Sequence, residues 1–200
     1  MPRQTFRSTF TRVLCAVVWA IIAVVAIGLL VTPAVTEAPA LVLIGALGAA
    51  ALVTAILWSP SLSVDDDGVQ VDNIAMRYRV PWAALIHVDT RYALQLHTPG
   101  RRIAVTAAPA PGAAGSLRAA RAHRRSEDAT TPQIRPGELP STDSGRAAAM
   151  VRTRWHALRD AGRIEAGVAE SVRVDAAVRV DNLLMLVAGA AALVAAVALA

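Results

Sequence analysis

Three stretches without a single charged residue, at residues 13–32, 40–58 and 183–200, constrain this chain more than anything else in it. A helix needs about 20 predominantly apolar residues to cross about 30 Å of hydrocarbon. Each stretch is near that length, so the chain reads as a membrane protein with three spanning helices. Of its 200 residues, about 120 are left for soluble structure, enough for one small domain and linkers. The candidate working part lies between the second and third spans.

Charge gives the orientation. Residues 1–12 hold Arg3, Arg7 and Arg12, whereas the 33–39 loop holds Glu37 and no arginine. Arginine is favoured in the cytoplasmic flanks of membrane helices. Residues 1–12 and 59–182 are therefore expected in the cytoplasm, with the 33–39 loop and the C-terminus outside. Trp58 would stand at the cytoplasmic edge of the second span, where the interfacial belt places tryptophan. A cleaved signal peptide is the competing reading, with Thr36-Glu37-Ala38 as a faint cleavage site. The first apolar run is longer than the usual h-region, and Pro39 would follow the cut. An uncleaved helical hairpin is the expectation.

The third span is alanine-rich. Its eight Leu and Val still contribute on the order of −2 to −5 kcal/mol to insertion, and Arg173 and Arg179 precede it on the cytoplasmic side. Ala46/Ala50 and Ala188/Ala192 have the small-xxx-small spacing that permits close helix approach. Cys15, the one cysteine, lies within the first span, so no disulfide can form within the chain. The sequence pI of about 10.8 resembles a nucleic-acid signal. Membrane-helix flanks account for most of the excess, and the domain has no interleaved basic-aromatic run. Nucleic acid is not an expected partner.

Period-two alternation starts directly after Trp58. Leu62 and Val64 alternate with serines, and Asp65-Asp66-Asp67-Gly68 reads as a hairpin turn with Asp-Gly as its strongest element. Val69/Val71, Met76/Tyr78/Val80, Ile86/Val88, Leu94/Leu96 and Ile103/Val105 continue the pattern. Pro81 should end or bend its strand, and Thr98-Pro99-Gly100 is a turn. Six short strands, each with one apolar face, fit an antiparallel meander over residues 59–108. The apolar residues just named except Met76, with Trp82, are the expected core, and Trp155 of the later helix should pack on it. Residues 109–140 hold five prolines and three glycines without periodicity and read as a flexible insertion. An amphipathic helix is expected over 141–162, capped by Ser141, Thr142, Asp143 or Ser144 and stopped by Gly162. Its Ala147, Val151, Trp155 and Leu158 share a face, so it can cover the open end of the sheet. Residues 163–182 read as a linker or a short strand.

The segments Trp58-Ser59-Pro60-Ser61-Leu62-Ser63-Val64, Asp67-Gly68-Val69-Gln70-Val71-Asp72-Asn73, Arg79-Val80-Pro81-Trp82 and Ile86-His87-Val88 together resemble a bacterial PH-like domain. The resemblance is to small membrane proteins of high-GC Gram-positive bacteria, of the mycobacterial low-molecular-weight antigen type. It covers about residues 13–108 and includes two membrane helices directly before the domain. It implies a seven-stranded sheet closed by a C-terminal helix, against six strands read from the residues. The expected fold class is therefore a transmembrane helical hairpin, a PH-like antiparallel sheet or barrel with a covering helix, and a C-terminal transmembrane helix.

Chemistry is sparse. Asp65-Asp66-Asp67-Gly68 lacks the spaced ligands and distal Glu of a calcium loop. His87, His97, His123 and His156 have no metal-ligand spacing. No phosphate loop, Gly-x-Ser-x-Gly or Cys–His pair outside the membrane occurs. No enzyme activity, metal, cofactor or soluble small-molecule substrate is expected. Three aspartates in the first hairpin would repel a polyanionic head group. The arginines that could meet an anionic lipid or a partner are Arg77, Arg79, Arg101 and Arg102, with a second cluster at Arg118, Arg121, Arg124 and Arg125. The expectation is a non-catalytic interaction module at the cytoplasmic face of the plasma membrane, binding a protein or a second copy. The alternative is a binder of anionic lipid or an envelope precursor.

Overall fold

The computed structural model describes residues 3–32, 38–90, 93–109, 142–164 and 167–199. In chain order its elements are β1 (Gln4–Phe6), α1 (Thr9–Leu30), α2 (Pro39–Val53), β2 (Ser61–Val64), β3 (Gly68–Asp72), β4 (Met76–Pro81), β5 (His87–Asp89), β6 (Ala93–Thr98), β7 (Arg101–Pro109), α3 (Asp143–Asp160), β8 (Asp175–Val178) and α4 (Val180–Ala198). Two compact units result. One comprises Met1–Ser8 and Ser61–Ala177, the other Thr9–Pro60 and Val178–Ala200.

The helical unit contains three helices long and apolar enough to cross a membrane: Thr9–Leu30, Pro39–Trp58 and Val180–Ala198. Helix α2 ends in a π turn over Thr54–Trp58. There the Ser59 N–H reaches back to the Thr54 carbonyl. An α-helical bond would have used Ala55 instead. The Ala55 carbonyl accepts from Asn182 Nδ2 at 3.1 Å. Arg179, which caps α4, donates to Ser59 Oγ at 2.7 Å. Helices α2 and α4 approach closely at glycine. A Cβ on Gly48 would lie 2.7 Å from the Gly189 carbonyl oxygen, and one on Gly189 would lie 2.8 Å from that of Gly48. Ala192 takes part beside them, 3.0 Å from the same Gly48 position. Trp58 stacks on Trp19 at 5.5 Å, with the Arg12 guanidinium 4.4 Å above its ring.

The other unit is two antiparallel sheets, ordered β1-β2-β3-β4-β8 and β5-β6-β7, with α3 packed on them. Alternation places Leu62, Val64, Val69, Val71 and Val80 on the inner face of one sheet, and Val88, Leu94, Leu96, Ile103 and Val105 on that of the other; all are buried. Burial of each such side chain stabilises by roughly 1.5–3 kcal/mol. Trp82, in a 3-10 turn after Pro81, is 4% exposed. The Asn73 side chain ties the sheets together. It donates to the Ala104 carbonyl at 2.7 Å and accepts from the Thr106 N–H at 2.9 Å.

Helix α3 closes the unit with Ala147, Ala148, Val151 and Leu158. Of the four candidate caps Thr142 serves: its Oγ1 accepts from Gly145 N–H at 3.0 Å. Gly162, at φ +66°, ends the helix. Its N–H bonds the Arg159 carbonyl, and that of Arg163 bonds Leu158, the two bonds of a Schellman motif.

Four expectations need correction. The domain has more than six strands, because β1 and β8 add to the first sheet from either side of the meander. Ile86 is 53% exposed rather than in the core; it precedes β5 and its N–H bonds the His97 carbonyl. Tyr78 is only partly buried against the core, on which Trp155 packs as expected. Gly68 does not supply a positive φ to the first turn. It is the first residue of β3, where a Cβ would fall 2.2 Å from the Val80 carbonyl oxygen.

Candidate functional site

The first hairpin, between β2 and β3, holds three successive aspartates, each met by an arginine. Asp65 Oδ1 accepts from the N–H groups of Asp67 (3.1 Å) and Gly68 (3.0 Å), an Asx turn. Arg79 of β4 then clamps the same carboxylate, with Nη1 to Oδ2 and Nη2 to Oδ1 both at 2.7 Å. Partial burial pushes the Asp65 carboxyl up. The Arg79 hydrogen bond and the two backbone donors outweigh it and hold the group below the usual carboxylate range. Trp82 Nε1 donates to the Asp65 carbonyl at 3.0 Å, so the hairpin is tied to the core as well. Asp66 bonds Arg154 of α3. Asp67 is largely exposed, with Arg79 Nη2 at 3.7 Å.

The outer face of β2, β3 and β4 is a second polar layer. Asp72 is 8% exposed and accepts from Ser61 Oγ at 3.3 Å, Gln70 Nε2 at 3.0 Å and Arg77 Nε. The two β4 candidates are therefore held by carboxylates of their own domain, Arg77 by Asp72 and Arg79 by Asp65. The sequence showed both charges but not their register: Asp72 is opposite Arg77 and Gln70 is opposite Arg79.

Arg101 and Arg102 differ. They open β7 after the Pro99-Gly100 turn, are exposed, and have no carboxylate partner among the described residues. The Arg101 guanidinium lies 5.8 Å from the Tyr78 ring. Arg118, Arg121, Arg124 and Arg125 lie outside the described residues, as does nearly all of the 109–140 segment. Among the described residues no group of three or more His, Cys, Asp or Glu is placed to hold a metal ion.

One feature was missed in the sequence. Gln4–Phe6 pairs in register with Leu62–Val64 and extends the sheet from the segment before α1. Phe6 packs on the core, and Ser8 donates to Asp143. Three residues are too few to show a period of two. Of the two readings of residues 163–182, the strand occurs at β8, and all four of its residues are exposed at the sheet edge.

No curated protein and no solved structure matches the chain. Residues 59–154 match the family model described as bacterial PH domain. That segment runs from the end of α2 through both sheets into α3, so the similarity to the family covers most of the two-sheet unit and part of its closing helix.

Proposed function

We propose that this chain is a membrane-tethered, non-catalytic interaction module whose PH-like domain binds a protein partner, or a second copy of itself, at the cytoplasmic face of the plasma membrane. The observation that carries the reading is the β8 edge. Its four residues are exposed, and an unpaired edge offers main-chain donors and acceptors to an added strand. The acidic hairpin supports the same reading. The arginines nearest it already hold its aspartates, so it lacks the free basic residues a phosphoinositide would need. PH domains are generally non-catalytic interaction modules, and the matched family model is one.

The pairing of β1 with β2 supports a helical hairpin, because β1 precedes α1 and β2 follows α2. A chain that leaves through α1 must return through α2 for those strands to meet. With arginine-rich flanks inside, the domain is cytoplasmic and the C-terminus outside. A reporter fused after Ala200 should then be active only outside, and residues 109–140 should resist protease in intact protoplasts.

The alternative, an anionic-lipid or envelope-precursor binder, rests on the two open arginines, Arg101 and Arg102. Cross-linking with mass spectrometry in the native host separates the readings. Protein cross-links that persist in the Arg101→Glu, Arg102→Glu double variant support the module. Their replacement by lipid adducts that the same variant abolishes supports the alternative.

A further inference from the structure

The open end of the second sheet carries a constellation that the interaction-module reading does not use. On the outer face of β5-β6-β7, His87 is opposite His97, and His97 is opposite Arg102. Three cross-strand neighbours thus form one row, with the two imidazoles edge to face at 5.7 Å. At the end of this row the β6–β7 turn presents Arg101, with Gly100 at φ +72° making the tight corner. His87, His97, Thr98, Arg101, Arg102 and the exposed Ile86 line a pocket of about 390 Å³. No described carboxylate lines it; Asp89, the nearest acid along β5, belongs to the next row, opposite Gln95. His97 Nε2 is buried and has no hydrogen-bond partner among the described residues.

We infer that this pocket is a binding site for a phosphate-type oxyanion. The ligand class follows from the donors. The Arg102 guanidinium, in the same row as the imidazoles, has no carboxylate partner among the described residues and offers the planar fork that matches phosphate oxygens; Arg101, whose guanidinium lies by the Tyr78 ring, borders the pocket at the turn. The imidazoles add N–H donors beside them. A buried polar atom left unsatisfied carries a desolvation penalty, which a turn of the His97 ring toward an oxyanion in the pocket would relieve. Arg101 and Arg102 also bring positive charge to this end of the sheet with no described carboxylate against either, which favours a bound dianion. Ile86 forms the apolar wall, which accounts for a large hydrophobic side chain standing exposed at this point of the domain. The site lies on the opposite sheet from the β2–β3 hairpin, and it holds whether or not β8 binds a partner.

The test uses the full chain in nanodiscs, reading the side-chain NMR resonances of His87 and His97. In neutral phosphatidylcholine discs, inorganic phosphate should shift both histidines saturably, while potassium chloride at matched ionic strength does not. Arg102→Gln should weaken that binding about tenfold, and Arg159→Gln, on α3, should leave it unchanged. If the shifts appear without phosphate in discs containing phosphatidylglycerol and vanish in the Arg102→Gln variant, the oxyanion is a lipid head group. Shifts produced equally by chloride, affinity unchanged in Arg102→Gln, or no shift under either condition would overturn the site.

Discussion

The two hairpins of the PH-like domain invert what their sequences suggest. The β2–β3 hairpin has three aspartates and looks strongly acidic, yet Arg79 and Arg154 hold Asp65 and Asp66, and the largely exposed Asp67 also has Arg79 within 3.7 Å. The β6–β7 hairpin has two arginines and no special motif, yet no described carboxylate answers them. Net charge along the chain is a poor guide to where a surface is electrostatically open. Pairing across the sheet decides it, and pairing depends on register. The acidic hairpin is a structural joint, and the basic one is free to meet a ligand.

The contrast can be broken at the joint. Trp82 supports the acidic hairpin from below, through its ring and its bond to the Asp65 carbonyl. Trp82→Ala should cost about 3–5 kcal/mol, read from denaturant unfolding of the purified chain. A cost below roughly 1 kcal/mol would mean that the indole is an interface anchor rather than part of the core. Gly68→Ala should cost about 1–3 kcal/mol, since a methyl group there meets the β4 backbone.

Asp65→Asn should cost about 1–3 kcal/mol at neutral pH, the range for charge-assisted hydrogen bonds. Its pH dependence gives a sharper signature. The folded carboxyl lies below its unfolded value. Its stabilisation is therefore fully present above the unfolded pKa, near 3.9, and is lost as pH falls through the folded value. The parent chain should lose this increment below about pH 4. The Asn variant should lack that component, so the two stability curves converge in acid. Parallel curves would show that Asp65 is not the group being titrated.

The basic hairpin should respond least. Arg101→Gln and Arg102→Gln should each change stability by no more than about 0.5 kcal/mol, because neither residue is in an ion pair among the described residues. A larger loss in either would place these arginines in the framework and erase the difference between the hairpins.

Much of the domain was legible because strand alternation is a local signal. Leu62 through Val105 showed their inner face, Pro81 ended β4, and Thr142 and Gly162 bounded α3. What escaped was non-local. Gln4–Phe6 shows no strand pattern by itself and becomes β1 only because β2 offers an edge. Ile86 fits the alternation but falls just outside β5 and turns outward. The roles of Arg77 and Arg79 depended on cross-strand partners that composition does not show. The His87–His97–Arg102 row needed three strands in register before two histidines, unremarkable by spacing, met an arginine.

The most direct test of the account is site-specific photo-cross-linking of the full chain in its native membrane, with the probe at Ala176 on the β8 edge and, in a separate variant, at Asp67 on the acidic tip. The account predicts a discrete protein adduct from Ala176, either a partner or a second copy, and none from Asp67. Adducts from Asp67 with none from Ala176 would contradict it, making the acidic hairpin the contact surface and the exposed edge a bystander.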